Sequence, residues 1–131
     1  MKFITSKNIC LAFGLPFVAV GILGFFPNPL VSHHGLFEVN VLHNLLHVVV
    51  GGIFIIGALW SDNAARRTLQ SLSIAGIALA ILGFVAKNDL ILGLIHVNEA
   101  DKWLHAGLAL VILGAAFGVS RTQAIQANSA E

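Results

Sequence analysis

The sequence predicts an all-α fold, a four-helix transmembrane bundle built from two tandem helical-hairpin repeats, with both termini cytoplasmic. Three observations predict it. First, 57% of the 131 residues are hydrophobic and only 10% are charged, where a soluble domain carries about a quarter charged residues. Second, mean hydropathy is +0.90, and the apolar residues fall into four stretches, 9–26, 41–60, 69–86 and 103–119. Each stretch is close to the ~20 residues that a helix needs to cross ~30 Å of hydrocarbon. Third, the chain duplicates itself. Gly35-Leu36-Phe37-Glu38-Val39-Asn40-Val41-Leu42-His43-Asn44-Leu45-Leu46-His47 returns 58 positions later, and six of its thirteen residues are identical. Internal similarity of this kind sets architecture before any other signal.

The first span, 9–26, follows a basic start at Lys2 and Lys7. That start resembles a signal peptide, but the apolar stretch is long for one and no A-x-A cleavage site follows. Ile22-Leu23-Gly24-Phe25 is echoed by Ile81-Leu82-Gly83-Phe84 at an offset of 59. Span one is therefore expected to be retained as the partner of span three, with the first connecting loop one residue longer than the second. Pro16 removes one backbone bond inside this helix and predicts a kink near Ala12.

Span two, 41–60, carries Gly51, Gly52 and Gly57 and ends at Trp60. Residues 61–68 are predicted as a polar loop before span three. Span four, 103–119, opens with Trp103 and contains the GxxxG stretch Gly114 to Gly118. Small residues of this type let membrane helices approach closely, and both sets are predicted to pack helix on helix. None of the four stretches alternates in polarity as barrel strands do. The single membrane domain divides into repeat one at about 9–60 and repeat two at about 69–119. Residues 120–131 are small, polar and patternless, and read as a disordered tail.

Orientation follows from the basic residues. Lys2, Lys7, Arg66, Arg67 and Arg121 fall on one side of the spans, against Lys87 and Lys102 on the other. Positive charge is retained inside, which predicts cytoplasmic termini and outward loops at 27–40 and 87–101. Two spans per repeat keep the repeats parallel, related by a pseudo-two-fold axis along the membrane normal.

All six histidines (His33, His34, His43, His47, His96 and His105) lie in the two outer loops or in the first turns below them. His43 and His47 stand four apart at the start of helix two, and Asp101 and His105 four apart at the start of helix four, so each pair shares a helix face. Asn40 and Asn98 precede these helices as N-caps. Seven residues from cap to histidine is about 10 Å of rise, deep enough that ionisable groups face the bundle interior and find partners.

Two readings of this cluster stand side by side. In one, His43, His47, Asp101 and His105 are four metal ligands between helices two and four. Three imidazoles and a carboxylate suit zinc, or copper, iron or manganese less decisively. Glu38 and His96, equivalent by the repeat, would support the ligands or add to them. In the other, Asp101 serves the helix start and the imidazoles are polar glue between helices. A third possibility uses His47 and His105 as axial ligands to haem or chlorophyll, but leaves their companions at i, i+4 unexplained. His33 and His34 are expected to be solvated loop residues.

Several function classes are excluded. The chain has no G-x-S-x-G, no phosphate-cradling loop and no H-E-x-x-H. A net charge of +1 without a basic stripe argues against nucleic acid. The lone Cys10 forbids an internal disulfide.

The paired motifs V-N-x-x-H-N-x-x-H, at Val39 to His47, and V-N-x-x-D-x-x-L-H, at Val97 to His105, resemble those of a family of small four-helix bacterial membrane proteins. That family is catalogued as a domain of unknown function and is found in actinobacteria and cyanobacteria, among others. The resemblance covers residues 15–119. It implies the fold and topology, and marks Asn40, His43, Asn44, His47, Asn98, Asp101 and His105 as motif positions. It brings no established reaction.

The sequence thus predicts a multi-pass protein of a bacterial cytoplasmic or thylakoid-type membrane, in contact with lipid. Its leading role is non-enzymatic, holding zinc or copper between helices two and four. The alternative is an accessory subunit of a larger respiratory or photosynthetic membrane complex, or a homo-oligomer, with the histidines structural or holding haem or chlorophyll.

Overall fold

A computed structural model describes residues 4–130. Lys2, one of the basic residues behind the expected orientation, and Glu131 at the end of the tail lie outside the described residues. Four helices run α1 (Ser6–Leu23), α2 (Val41–Trp60), α3 (Asp62–Val85) and α4 (Glu99–Asn128), and all four are long and apolar enough to cross a membrane. Each buries only a minority of its span inside the bundle. Residues such as Leu15, Ile56, Ile81 and Val111 face outward, which is how apolar side chains behave when lipid is the solvent. The chain is a small membrane protein in a lipid bilayer. Trp60 and Trp103 are exposed at opposite ends of the bundle, where amphipathic rings settle at the interfaces.

Local chemistry starts each helix. The side chains of Thr5, Asn40, Ser61 and Asn98 accept from the backbone N–H of Asn8, His43, Ala64 and Asp101, satisfying donors that the first turn leaves unpaired. Ser61 is the one non-helical residue between α2 and α3. The polar loop expected at 61–68 is therefore the opening of α3. Its residues are hydrophilic, but Ala64, Ala65, Arg66 and Arg67 are good helix formers, and a capped start lets them propagate. For the same reason α4 continues through Asn128, over residues expected to be unstructured. Its 30 residues span about 45 Å, longer than the hydrocarbon alone requires.

At one end lie the described termini and the α2–α3 turn, tied together by Lys7 Nζ to Asp62 at 3.9 Å and by the Cys10 thiol donating to the Ala65 carbonyl at 3.3 Å. Phe54, Leu69, Ile112 and Ala116 pack around Cys10 as the core. The other end carries two folded loops. Strands β1 (Val31–Ser32) and β2 (Phe37–Glu38) pair in parallel in the first, and β3 (Leu90–Ile91) and β4 (Ile95–His96) pair antiparallel in the second. The sequence reading did not anticipate these two-residue strands, which are too short to show a period.

Helix packing is uneven. α1 lies tightly on α2, α3 on α4, and α2 on α3, while α2 and α4 share no extensive backbone contact. A Cβ placed on Gly51 would sit 2.7 Å from the Gly14 carbonyl oxygen, and one on Gly14 would sit 2.9 Å from that of Gly51. These two glycines set the α1–α2 approach. Gly114 and Gly118 have nothing within 4 Å of such a position. The predicted GxxxG contact of α4 is thus not made among the described residues, because that face of α4 turns away from the other three helices.

Candidate metal centre

The two capping asparagines do more than start their helices. Asn40 Nδ2 donates to the Leu94 carbonyl at 2.7 Å, and Asn98 Nδ2 donates to the Leu36 carbonyl at 2.9 Å. Each helix start is therefore tied to the loop of the opposite hairpin. The pairs Asn40 and Asn98, and Leu36 and Leu94, are each 58 positions apart, so the two bonds are reciprocal. Beside them His96 Nε2 meets Glu38 Oε2 at 3.0 Å. This polar clasp holds the tops of α2 and α4 together although the helices themselves scarcely touch.

Beneath the clasp lie His43, His47 and His105. One nitrogen from each ring lies within 4.8 Å of the other two. The rings of His47 and His105 are parallel within 8°, and their Nε2 atoms stand 3.4 Å apart. The His43 ring is 4.6 Å from that of His47 and 5.3 Å from that of His105. Phe17 of α1 meets the His47 ring edge-on at 5.4 Å and closes that side.

The other ring nitrogens decide what these atoms can do. His43 Nδ1 lies 2.6 Å from the His96 carbonyl oxygen, and His105 Nδ1 lies 2.8 Å from the Asp101 carbonyl oxygen. A carbonyl only accepts, so both Nδ1 atoms carry hydrogen, and the lone pair of each neutral ring is at Nε2. Fixing one ring nitrogen by a backbone carbonyl is how a ligating imidazole is held in its tautomer. His47 Nδ1 is buried without a hydrogen-bond partner.

Asp101 is brought to the cluster but stands behind the rings. Its two oxygens lie 4.0 Å from His43 Nδ1 and 3.7 Å from His105 Nδ1, on the side away from the free lone pairs. It is 1% exposed, and its Oδ2 has no hydrogen-bond partner. It thus faces the N–H side of two rings at a separation too long for a hydrogen bond to either. Glu38 and His96 engage each other, and only the backbone of His96 reaches the triad. His33 and His34 are exposed and contact one another in the first loop.

Two anchoring residues escaped the sequence reading. Asn28 donates from Nδ2 to the carbonyls of Leu23, Phe26 and Val31, and its Oδ1 accepts from the N–H groups of Leu30 and Val31. The Asn between Pro27 and Pro29 was a turn signal in the sequence. Lys102 is 7% exposed, and its ammonium donates to Asp89 at 2.7 Å and to Glu99 at 3.1 Å. The Lys102 hydrogen bond holds the Asp89 carboxyl below its ordinary pKa.

No curated protein and no solved structure matches the chain. Residues 7–118 match the family described as a domain of unknown function (DUF4383), a match that takes in all three histidines, both capping asparagines and most of the four helices, and the chain belongs to that family.

Proposed function

We propose that the protein holds one transition-metal ion, zinc first, between α2 and α4, with Nε2 of His43, His47 and His105 as ligands. The observation that carries this reading is the 3.4 Å separation of the His47 and His105 Nε2 atoms. It exceeds the usual length of a good N–H hydrogen bond. Two ligands each about 2.0–2.1 Å from a tetrahedral ion stand about 3.4 Å apart, which is the same distance. Both His43 and His105 have the donor nitrogen already committed to a carbonyl, so their lone pairs are preset for an ion.

Three imidazoles leave a tetrahedral ion one open position. Asp101 stands close behind two of the rings, and in its ionised form would offset part of the ion's charge in a low-dielectric setting. A tetrapyrrole on His47 and His105 fits less well, because the His43 ring lies 5.3 Å from His105, where the macrocycle would extend.

The test is elemental analysis of detergent-purified protein beside a His47→Ala/His105→Ala variant. About one equivalent of zinc or copper in the parent and close to none in a folded variant is expected. Equal, near-zero metal in both removes the ion, and a Soret band in the parent transfers the site to a tetrapyrrole.

A further inference from the structure

Below the three imidazoles the bundle is not filled. A cavity of about 120 Å³ is lined on α2 by residues from His43 to Phe54, positions about 16 Å apart along the helix at 1.5 Å per residue. It occupies the space that α2 and α4 leave between them, with α3 as its far wall. Phe17, Val50, Phe54, Leu72, Leu79 and Ile112 line it.

The chemistry of this lining is one-sided. Its polar groups are the imidazoles at one end and Lys102. The Lys102 ammonium is already bonded to Asp89 and Glu99, and its Cγ lies against Gly83. The chamber is thus offered a methylene stem and no free charge. An anion or cation inside it would lose its hydration with nothing in return. Water fares little better below the imidazoles, since a buried water needs two to four polar partners. The volume is close to that of the ~150 Å³ apolar cavity that stays dry and takes up benzene or xenon.

We infer that this chamber is a binding site for a small, uncharged, largely apolar molecule of about six heavy atoms or fewer. Such a molecule enters from the lipid and turns its one lone-pair donor toward the histidine triad. Where the triad carries its ion, that donor completes the open coordination position, and this last step rests on the metal reading above. The imidazoles and the hydrocarbon lining are two parts of one site. The first selects a donor atom, and the second rejects charge and size.

Cobalt(II)-loaded protein in nanodiscs tests this, because cobalt's visible bands report its coordination. Pyridine is expected to shift those bands saturably. Isonicotinate, the same ring with a carboxylate, is expected to bind at least about ten-fold more weakly. Gly76→Leu and Ala80→Leu each fill the chamber from α3 without touching the triad. Both are expected to keep the unliganded cobalt spectrum and to weaken pyridine by at least about ten-fold. Equal response to isonicotinate, or unchanged pyridine binding in both variants, overturns the inference. Failure to take up cobalt sinks the metal reading alone. Crystals of metal-free protein under xenon then decide the chamber: density between Phe54 and Leu79 sustains it, and none overturns it.

Discussion

In the hairpin α1–α2, Gly14 and Gly51 bring two backbones so close that neither tolerates a Cβ, and Gly21 lies against Val48 and the Asn44 carbonyl in the same way. In the hairpin α3–α4, Gly107, Gly114 and Gly118 have no neighbour among the described residues within 4 Å of where a Cβ would stand, and Gly76 has only ordinary contact with Ala109. The loops differ as well. The first is stapled from within by Asn28. The second, shorter loop turns through Asn88, Asp89 and Leu92 at φ of 55°, 56° and 52° and is pinned to α4 by Lys102. Asn88 and Asp89 tolerate the left-handed region, but Leu92 carries strain there that the first loop avoids. Similar sequences are thus packed to different degrees. Both halves line the cavity, and the tighter half presents two of the three imidazoles on a firm wall. A ligand site benefits from that division, since rigid elements hold geometry while open ones leave room.

The strongest way to break this contrast is to insert bulk on either side of it. Gly51→Leu is expected to destabilise the fold by about 1–3 kcal/mol or more through overpacking against α1. Gly114→Leu on α4 is expected to change it by less than about 0.5 kcal/mol. Denaturant titrations of the two variants in the same micelles measure the difference, and similar losses would show that α4 is packed as closely as α2.

A second, smaller effect separates the loops. Asn28→Ala removes one side chain that serves several backbone groups and is expected to cost about 1–3 kcal/mol. Amide hydrogen exchange should rise across residues 24–40 and stay unchanged across 86–98. Acceleration in both loops would mean that the clasp, not Asn28, governs the first.

The smallest effect concerns pH. Asp89 has a carboxyl held below its ordinary value by Lys102. Its contribution is therefore complete above the ordinary carboxylate pKa and is lost as pH falls through the lowered folded value. Protection of residues 86–98, taken relative to the intrinsic exchange rate at each pH, is expected to fall only in that acid range, and Asp89→Asn should remove the dependence. Loss of protection near neutral pH would assign the anchor to a different group.

The four helices were legible because hydropathy and helix length are local properties of the chain. The 61–68 segment is helical rather than the expected loop because helix propensity and the Ser61 cap outweigh its hydrophilic composition. The i, i+4 spacing of His43 with His47 and of Asp101 with His105 was equally visible, since helical periodicity alone puts such residues on one face. The anchoring roles of Asn28 and Lys102 were not legible, since they are set by carbonyls and carboxylates that the fold brings to them.

By itself, the sequence determined the membrane class, the number of helices and the crowding of imidazoles at one end, all of which follow from short-range hydrophobicity and periodicity. Only the tertiary structure decided which ring nitrogens are committed to carbonyls, that Asp101 stands behind the rings, and that a hydrocarbon-lined space lies beneath them. Apart from His105, whose Nδ1 bonds the carbonyl four residues before it, those features depend on contacts between residues more than fifty positions apart, such as His43 with His96, and on space that packing leaves unfilled. Neither is written in any local pattern.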